Sequence, residues 1–530
     1  DDDGMSYTSY FYLLFFLGVL VALYYLIPLK KRWLVLLGGS YFFYWMASGK
    51  MIVFLLITTV SVYLGALAME REQQAFDSVR KSLEKEERKT RKAVMMRRKR
   101  YIVFAMVLIN VGLLAFLKYY HFFSANINAL GSHLEPGFQL PALKLLMPLG
   151  ISFYTLSAVG YVIDVYRGQT AADHHFGRLA LFLSLFTNIT EGPISRYDQL
   201  AGQAFEGHRA DYRQFTFGAQ LILWGLFQKM VLADRAALLV STVFGSPSDY
   251  SGGIVILAMF VYTLQIYADF AGCMDIVRGS GALFGIEIAR NFNQPFFSKS
   301  IGEFWRRWHM TLGAWFKDYI FYPFSISKHM LHFGKFAKKR FGKTTGRVLP
   351  ICLANILIFF IVGVWHGAAW KYIMYGIYNG VIVAGSGMLA PVYAKIQEKL
   401  HINPKKWWYQ GFCIIRTFIL VNIGFYFDMA NDLRAANAML VQTVTKAHIS
   451  QLSMAAVKAV GLTSQDLLIV IAGCIIIFVV SLLKEKGINI RETIASYNIV
   501  IRWIIYIGFI MFILIYGSTS TTSDFIYANF

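Results

Sequence analysis

The sequence predicts an all-α polytopic membrane protein, and three observations carry that reading. Apolar runs near the length of a membrane span recur from one end to the other, 57% of the 530 residues are hydrophobic, and only 15% are charged. Soluble chains carry about 25% charged residues, and roughly 20 consecutive apolar residues are what a bilayer core requires. Hydrocarbon satisfies no bare backbone group, so the spans must be helices, and the alternating segments of a membrane barrel are absent. A soluble globular enzyme, a disordered chain and a disulfide scaffold are all excluded.

Taken in order, the candidate spans are 9–28, 33–47, 51–69, 101–120, 144–164, 177–190, 212–233, 253–284, 350–365, 368–390, 411–428, 466–483 and 498–517. Some are short and some long, which gives roughly eleven to thirteen crossings. Asp1–Gly4, ahead of Met5, reads as an expression remnant. The formal net charge of +21 is not a nucleic-acid signature, because the basic residues lie in short blocks between apolar runs. Lys30-Lys31-Arg32 closes the first run and places that end in the cytoplasm, with the N-terminus outside. Two further crossings return the chain to the same side at 71–100. That segment carries Arg71, Arg80, Lys81, Lys85, Arg88, Lys89, Arg91, Lys92, Arg97, Arg98, Lys99 and Arg100, and reads as a helical cytoplasmic excursion. A second acid-free basic loop, 328–347, is expected on the same side. Gly342-Lys343-Thr344 within it is not a phosphate-binding loop, since Ala337 stands where that motif needs glycine. The four cysteines, Cys273, Cys352, Cys413 and Cys474, sit in apolar runs and read as buried thiols.

Ionisable groups at membrane depth are costly, so they mark candidate chemistry. His366 lies in Val364-Trp365-His366-Gly367-Ala368-Ala369-Trp370, between two apolar runs and among small and aromatic residues. It reads either as a general base, with a pKa range suited to proton transfer, or as a histidine hydrogen-bonded to a neighbouring helix. His309 lies in 300–319, where Trp305, Trp308, Leu312 and Trp315 share one face of a helix and Glu303 reaches Arg306 or Arg307. That stretch reads as a membrane-surface anchor or as the wall of a site for an anionic donor. Asp269 and Asp275 interrupt another apolar run and are expected to pair with Arg278, Arg306 or Arg307. Gly192-Pro193 after Glu191 reads as a helix stop with a ligand-facing turn. His329-x-x-His332 has no third ligand and is not a metal site.

Together these pieces resemble the membrane-bound O-acyltransferase family, in its bacterial branch of alginate O-acetylation and teichoic acid D-alanyl-transfer membrane proteins. The resemblance runs through Pro148-Leu149-Gly150-Ile151-Ser152-Phe153-Tyr154, Asp164-Val165-Tyr166-Arg167, Gly192-Pro193-Ile194, Arg196-Tyr197 and Tyr267-Ala268-Asp269-Phe270. It continues through Asn291-Phe292-Asn293-Gln294-Pro295-Phe296, Glu303 to His309, Trp365-His366-Gly367 and a terminal Phe525-Ile526-Tyr527. It implies a ring of helices with re-entrant or interfacial pieces around a central tunnel. His366 would be the essential catalytic residue and His309 the second signature position. Trp305, Arg306, Arg307, Trp308, Trp365, Asp269 and Asn293 would line the substrates. It divides the chain into N-terminal helices (5–143, with the basic segment 71–100), a catalytic core (144–390) and C-terminal helices (391–530).

The implied function is transfer of an acyl group, acetyl foremost, from a cytoplasmic thioester for O-acylation of an extracytoplasmic polysaccharide. No cofactor is permanently bound; acetyl-CoA or an acyl carrier protein is the donor substrate. A separate extracytoplasmic acyltransferase is the expected protein partner, the lipid bilayer the surroundings, and a bacterial cell membrane the location. Phe324-Ser325-Ile326-Ser327-Lys328 replaces the Gly-Gly-Asn turn usual in alginate-type members, which argues for peptidoglycan, cellulose or another exopolysaccharide as acceptor. The alternatives are D-alanyl transfer from a carrier protein to teichoic acid and, outside the family, a transporter or lipid flippase. The last predicts paired half-repeats, and none is found.

Overall fold

A computed structural model describes residues 5–517 and Ile526. Asp1–Gly4, and Phe525 and Tyr527 of the terminal motif, lie outside the described residues. All regular structure among the described residues is helical, apart from one isolated antiparallel bridge between Phe292 and Trp308. Nine helical stretches there are long and apolar enough to cross a membrane, from Leu29–Arg80 to Ile499–Tyr516. The expected runs 33–47 and 51–69 fall within the first of these, as helices Arg32–Ser48 and Ile52–Arg80. The runs at 144–164 and 177–190 yield only the shorter helices Ile151–Arg167 and Phe176–Ser184.

The chain forms two compact units. Among the described residues, one holds those up to Ala219 with Val277–Ala289, and the other holds Gln220–Ile276 with those from Arg290 onward. In the first, Lys85–Leu134 is a single 50-residue helix. At 1.5 Å per residue it is about 75 Å long, more than twice the roughly 30 Å hydrocarbon core, so its basic N-terminal part stands clear of any bilayer. That part packs back on Ile52–Arg80, with Lys99 Nζ 3.1 Å from Gln73 Oε1 and Arg98 Nη1 3.4 Å from Glu72 Oε2. The segment 71–100 is thus helical on both sides of a turn at 81–84, in keeping with the expected helical excursion.

Ile151–Arg167 starts at Gly150, where φ is +75° and a Cβ would meet the Ile189 carbonyl oxygen at 1.8 Å. Only glycine fits that turn. The loop after this helix is pinned by buried Asp173, which accepts from Arg178 Nε at 2.9 Å, from Arg178 Nη2 at 3.0 Å and from the Tyr197 hydroxyl. Burial alone would raise the Asp173 carboxyl. The hydrogen bonds from Arg178, Tyr197 and the His175 N–H outweigh it and hold the group below the usual carboxylate range.

In the second unit, Lys343–His366 and Trp370–Lys399 form a close helical pair. They approach through glycines: a Cβ at Gly363 would sit 2.4 Å from the Tyr372 carbonyl oxygen, and one at Gly376 would sit 2.2 Å from that of Phe359. Small residues let two backbones meet in this way, as in membrane helix pairs generally. The basic loop 328–347 is itself largely helical, as Lys328–Phe341, capped by the Ser327 hydroxyl on the Met330 N–H. Cys273, Cys352 and Cys413 are buried, whereas Cys474 is exposed on its helix.

The 300–319 stretch departs from its sequence reading. It is two seven-residue helices, Ile301–Arg307 and Met310–Phe316, with Trp308 extended and His309 left-handed between them. The shared aromatic face is therefore broken at Trp308. Glu303 pairs with Arg307 at 3.0 Å rather than with Arg306.

Candidate active site

The break at Trp308-His309 is imposed from outside those helices. Residues 291–294 run past it as a short strap. The Asn293 N–H donates to the Arg307 carbonyl at 3.0 Å, and the Met310 N–H donates to the Asn291 carbonyl at 3.0 Å. Buried Asn291 also offers Oδ1 to both the Thr311 N–H at 2.9 Å and the Thr311 hydroxyl at 2.7 Å. His309 between them holds φ +49° and ψ +54°. A non-glycine residue in that region is strained and persists only where its surroundings over-determine it.

The strap brings His309 to within one ring of His366. Its imidazole packs edge-on against Phe270 with centroids 4.8 Å apart, and lies 5.7 Å from the Trp365 ring. Trp365 in turn stands edge-on to His366 at 5.4 Å. Both histidines are 1% exposed, so whatever they act on is screened from bulk water. His366 ends the Lys343–His366 helix, and its Nδ1 lies 2.8 Å from the Val362 carbonyl oxygen. A carbonyl only accepts, so Nδ1 carries the hydrogen and the lone pair of the neutral ring sits on Nε2. This hydrogen bond is made within its own helix. Trp305 and Tyr375 complete the surround, with centroids 6.4 and 5.9 Å from that of His366.

The other sequence-selected residues divide by what they touch. The Trp305 indole N–H donates to Asn379 Oδ1 at 3.1 Å, which fixes the ring beside His366 and commits its only donor. Trp308 is buried in an aromatic cluster, stacked on Phe304 and edge-on to Phe292. Arg307 is bound twice to Glu485, at 2.9 and 3.0 Å, and donates to the Asn293 and Gln294 carbonyls. Glu485 foremost, with Glu303, holds Arg307 above its ordinary pKa despite partial burial. Arg306 is exposed. Asn293 contributes its backbone to the strap.

Asp269 does not pair with an arginine. Its Oδ2 lies 2.7 Å from Lys229 Nζ, and its Oδ1 accepts the Ile526 N–H at 3.0 Å. Lys229 also reaches Asp234 at 2.8 Å, and the three side chains are buried. One cation between two carboxylates satisfies most of the charge that burial would otherwise penalise. Asp275 accepts from Gln228 at 2.8 Å. The residues that sequence reasoning passed over are Asn291, Asn379 and Lys229. Lys229 did carry a signal, as an isolated cation within the apolar run 212–233.

Chemically, the arrangement offers one oriented imidazole lone pair, a second buried imidazole nearby and aromatic walls. That is a base with a dry, shaped surround, suited to removing a proton from a hydroxyl during acyl transfer.

The chain is similar to known membrane-bound acyltransferases. The family model of membrane-bound O-acyltransferases matches residues 168–338. A probable alginate O-acetylase of Pseudomonas aeruginosa is 32% identical over 331 residues, 62% of this chain and 58% of that protein. A peptidoglycan O-acetyltransferase of Helicobacter pylori is 29% identical, over 62% of each chain. A teichoic acid D-alanyltransferase of Bacillus subtilis is 30% identical, over 56% of this chain and 71% of that protein. The matched region thus spans somewhat more than half the length of the alginate O-acetylase relative.

Proposed function

Because the chain belongs to the membrane-bound O-acyltransferase family, we propose that it moves an acyl group, acetyl in the first instance, from a cytoplasmic thioester for O-acylation of an extracytoplasmic polysaccharide. His366 is the base. The observation that carries this reading is the Nδ1–Val362 hydrogen bond, which leaves Nε2 as the basic nitrogen in a buried aromatic surround.

In the reaction, an acceptor hydroxyl oxygen attacks the thioester carbonyl carbon as its proton passes to His366 Nε2. The tetrahedral adduct collapses with breakage of the C–S bond, and the departing sulfur takes that proton. One ester and one thiol result, and the base is restored. The developing oxyanion needs a donor, and Trp305 is not that donor, because its indole N–H is engaged by Asn379. Acetyl-CoA or an acyl carrier protein supplies the acyl group. The receiving hydroxyl belongs to the polysaccharide or to a separate extracytoplasmic transferase. The bilayer is a bacterial cell membrane, with the N-terminus outside.

A second reading, D-alanyl transfer from a carrier protein to teichoic acid, is favoured by one observation: the match covers 71% of the teichoic acid D-alanyltransferase, a larger share than of the alginate relative. One experiment separates the two. Purified protein is incubated with radiolabelled acetyl-CoA and the extracytoplasmic neighbour-gene product as acceptor, beside a folded His366→Ala variant. Acetyl label should pass to the acceptor, and the variant should lose at least 100-fold in rate, the lower range for a general base. Equal transfer by the variant removes His366 from the mechanism. Transfer only from a D-alanyl carrier establishes the second reading.

A further inference from the structure

We propose that Asp428, Tyr262 and Lys371 form a binding site for a hydroxyl of a saccharide acceptor beside His366; this deepens the acyl-transfer reading and rests on it. Asp428 stands in the last turn of the Trp407–Met429 helix and is 6% exposed. The Tyr262 hydroxyl, from the Gly252–Ala282 helix, donates to its Oδ2. Its Oδ1 is buried and, among the described residues, has no hydrogen-bond partner. A buried carboxylate oxygen without a donor is destabilising and is one of the features that calls for a missing ligand. Lys371 Nζ lies at the same helix end, donating to the main-chain carbonyls of Asp428 at 3.0 Å and Ala430 at 2.8 Å. An ammonium has three N–H donors, so those two bonds use two of them.

A carboxylate oxygen and an ammonium at one helix end suit an alcohol, which donates one hydrogen bond and accepts others. The acyl end of a thioester offers acceptors only and cannot satisfy Asp428. Of the two substrates, the polyhydroxylated acceptor is the richer in such donors, and it is the ligand class assigned here.

Two lines of contact connect the group to His366. His366, Tyr375, Phe425 and Tyr262 follow one another ring to ring, with centroids 5.9, 6.3 and 5.7 Å apart. On the other side, Lys371 Nζ lies 4.5 Å from the Tyr372 ring centroid, and that ring lies so close to Gly367 that a Cβ there would meet it at 2.3 Å. Asn431 and Asp432, just beyond the helix end, are exposed, so Asp428 lies within a turn of the surface.

The test uses the full chain in nanodiscs with radiolabelled acetyl-CoA and two acceptor probes, a mannuronate tetrasaccharide and chitotetraose. Asp428→Asn, which keeps the shape, and Tyr262→Phe are compared with wild type, and unfolding midpoints are followed by tryptophan fluorescence. The expected result for Asp428→Asn is a rise of about tenfold in the acceptor concentration giving half-maximal rate, the size of one lost charged hydrogen bond, with the acetyl-CoA dependence unchanged. An unchanged acceptor dependence overturns the site. So does a loss of rate that only follows a lowered midpoint. If wild type forms no ester with either probe, the acyl-transfer reading fails in this assay, and saturation-transfer NMR of the same saccharides decides the site separately. Transfer lost in Asp428→Asn supports it; equal transfer, or none with wild type, overturns it.

Discussion

At the scale of single residues, His309 is where the backbone is most informative. It holds a left-handed conformation that costs a non-glycine residue about 1–2 kcal/mol, and Asn291 and Thr311 keep it there. Ring and backbone can be separated by experiment. His309→Gly removes the imidazole and the strain together, whereas His309→Ala removes only the imidazole. Both variants should lose turnover alike, but the glycine variant should melt higher, by about 1 kcal/mol in chemical unfolding. Equal midpoints would mean that the conformation carries no strain. The burial of His366 was legible from its apolar Trp-His-Gly setting. The tautomer was not, because it depends on a carbonyl one turn earlier in the same helix, and helix dihedrals, not residue types, bring that atom within 2.8 Å.

At the scale of elements, the helical pair Lys343–His366 and Trp370–Lys399 sets the position of the His366 ring. Its contact through Gly363 and Gly376 leaves no room for a methyl group. Gly376→Ala should therefore push the helices apart, destabilise by roughly 1–3 kcal/mol as overpacking does, and lower turnover. Gly385→Ala, on the same helix with open space around it, should stay within about 0.5 kcal/mol of wild type. Detergent unfolding midpoints and acyl transfer check the pair together. The long helices could be read from the sequence because span length and apolar composition are local properties. The 300–319 break could not. Trp305, Trp308, Leu312 and Trp315 keep helical spacing, and what interrupts the helix is a strap beginning at Asn291, held by hydrogen bonds that no periodicity encodes. The partner of Asp269 was missed for a related reason. The expected arginines follow Asp269 in the chain, but the Gly252–Ala282 helix meets the π-helical segment Phe227–Ala233, whose Lys229 lies forty residues earlier.

At the scale of the whole molecule, the basic segments should order the chain across the bilayer. The positive-inside rule predicts both 71–100 and 328–347 in the cytoplasm, and on that prediction Lys85–Leu134 carries the chain to the opposite face at Glu135. In a cysteine-free background, cysteines at the exposed positions Lys92 and Lys339 should react with a membrane-impermeant maleimide only after permeabilisation. One at Glu135 should react in intact cells. Labelling at Lys92 without permeabilisation would invert the orientation and, with it, the side from which the thioester enters.

The link between His366 and the Val362 carbonyl also bears on how such a protein can diversify. In the proposed mechanism, the tautomer of the base is set by a carbonyl of its own helix. Changes in the surrounding walls can then alter which acyl group or polymer is held without retuning the nitrogen that receives the proton. A reaction centre wired in this way is portable between substrates. Relatives about 30% identical to this chain, whose names differ in both the group transferred and the polymer that receives it, are what such portability allows.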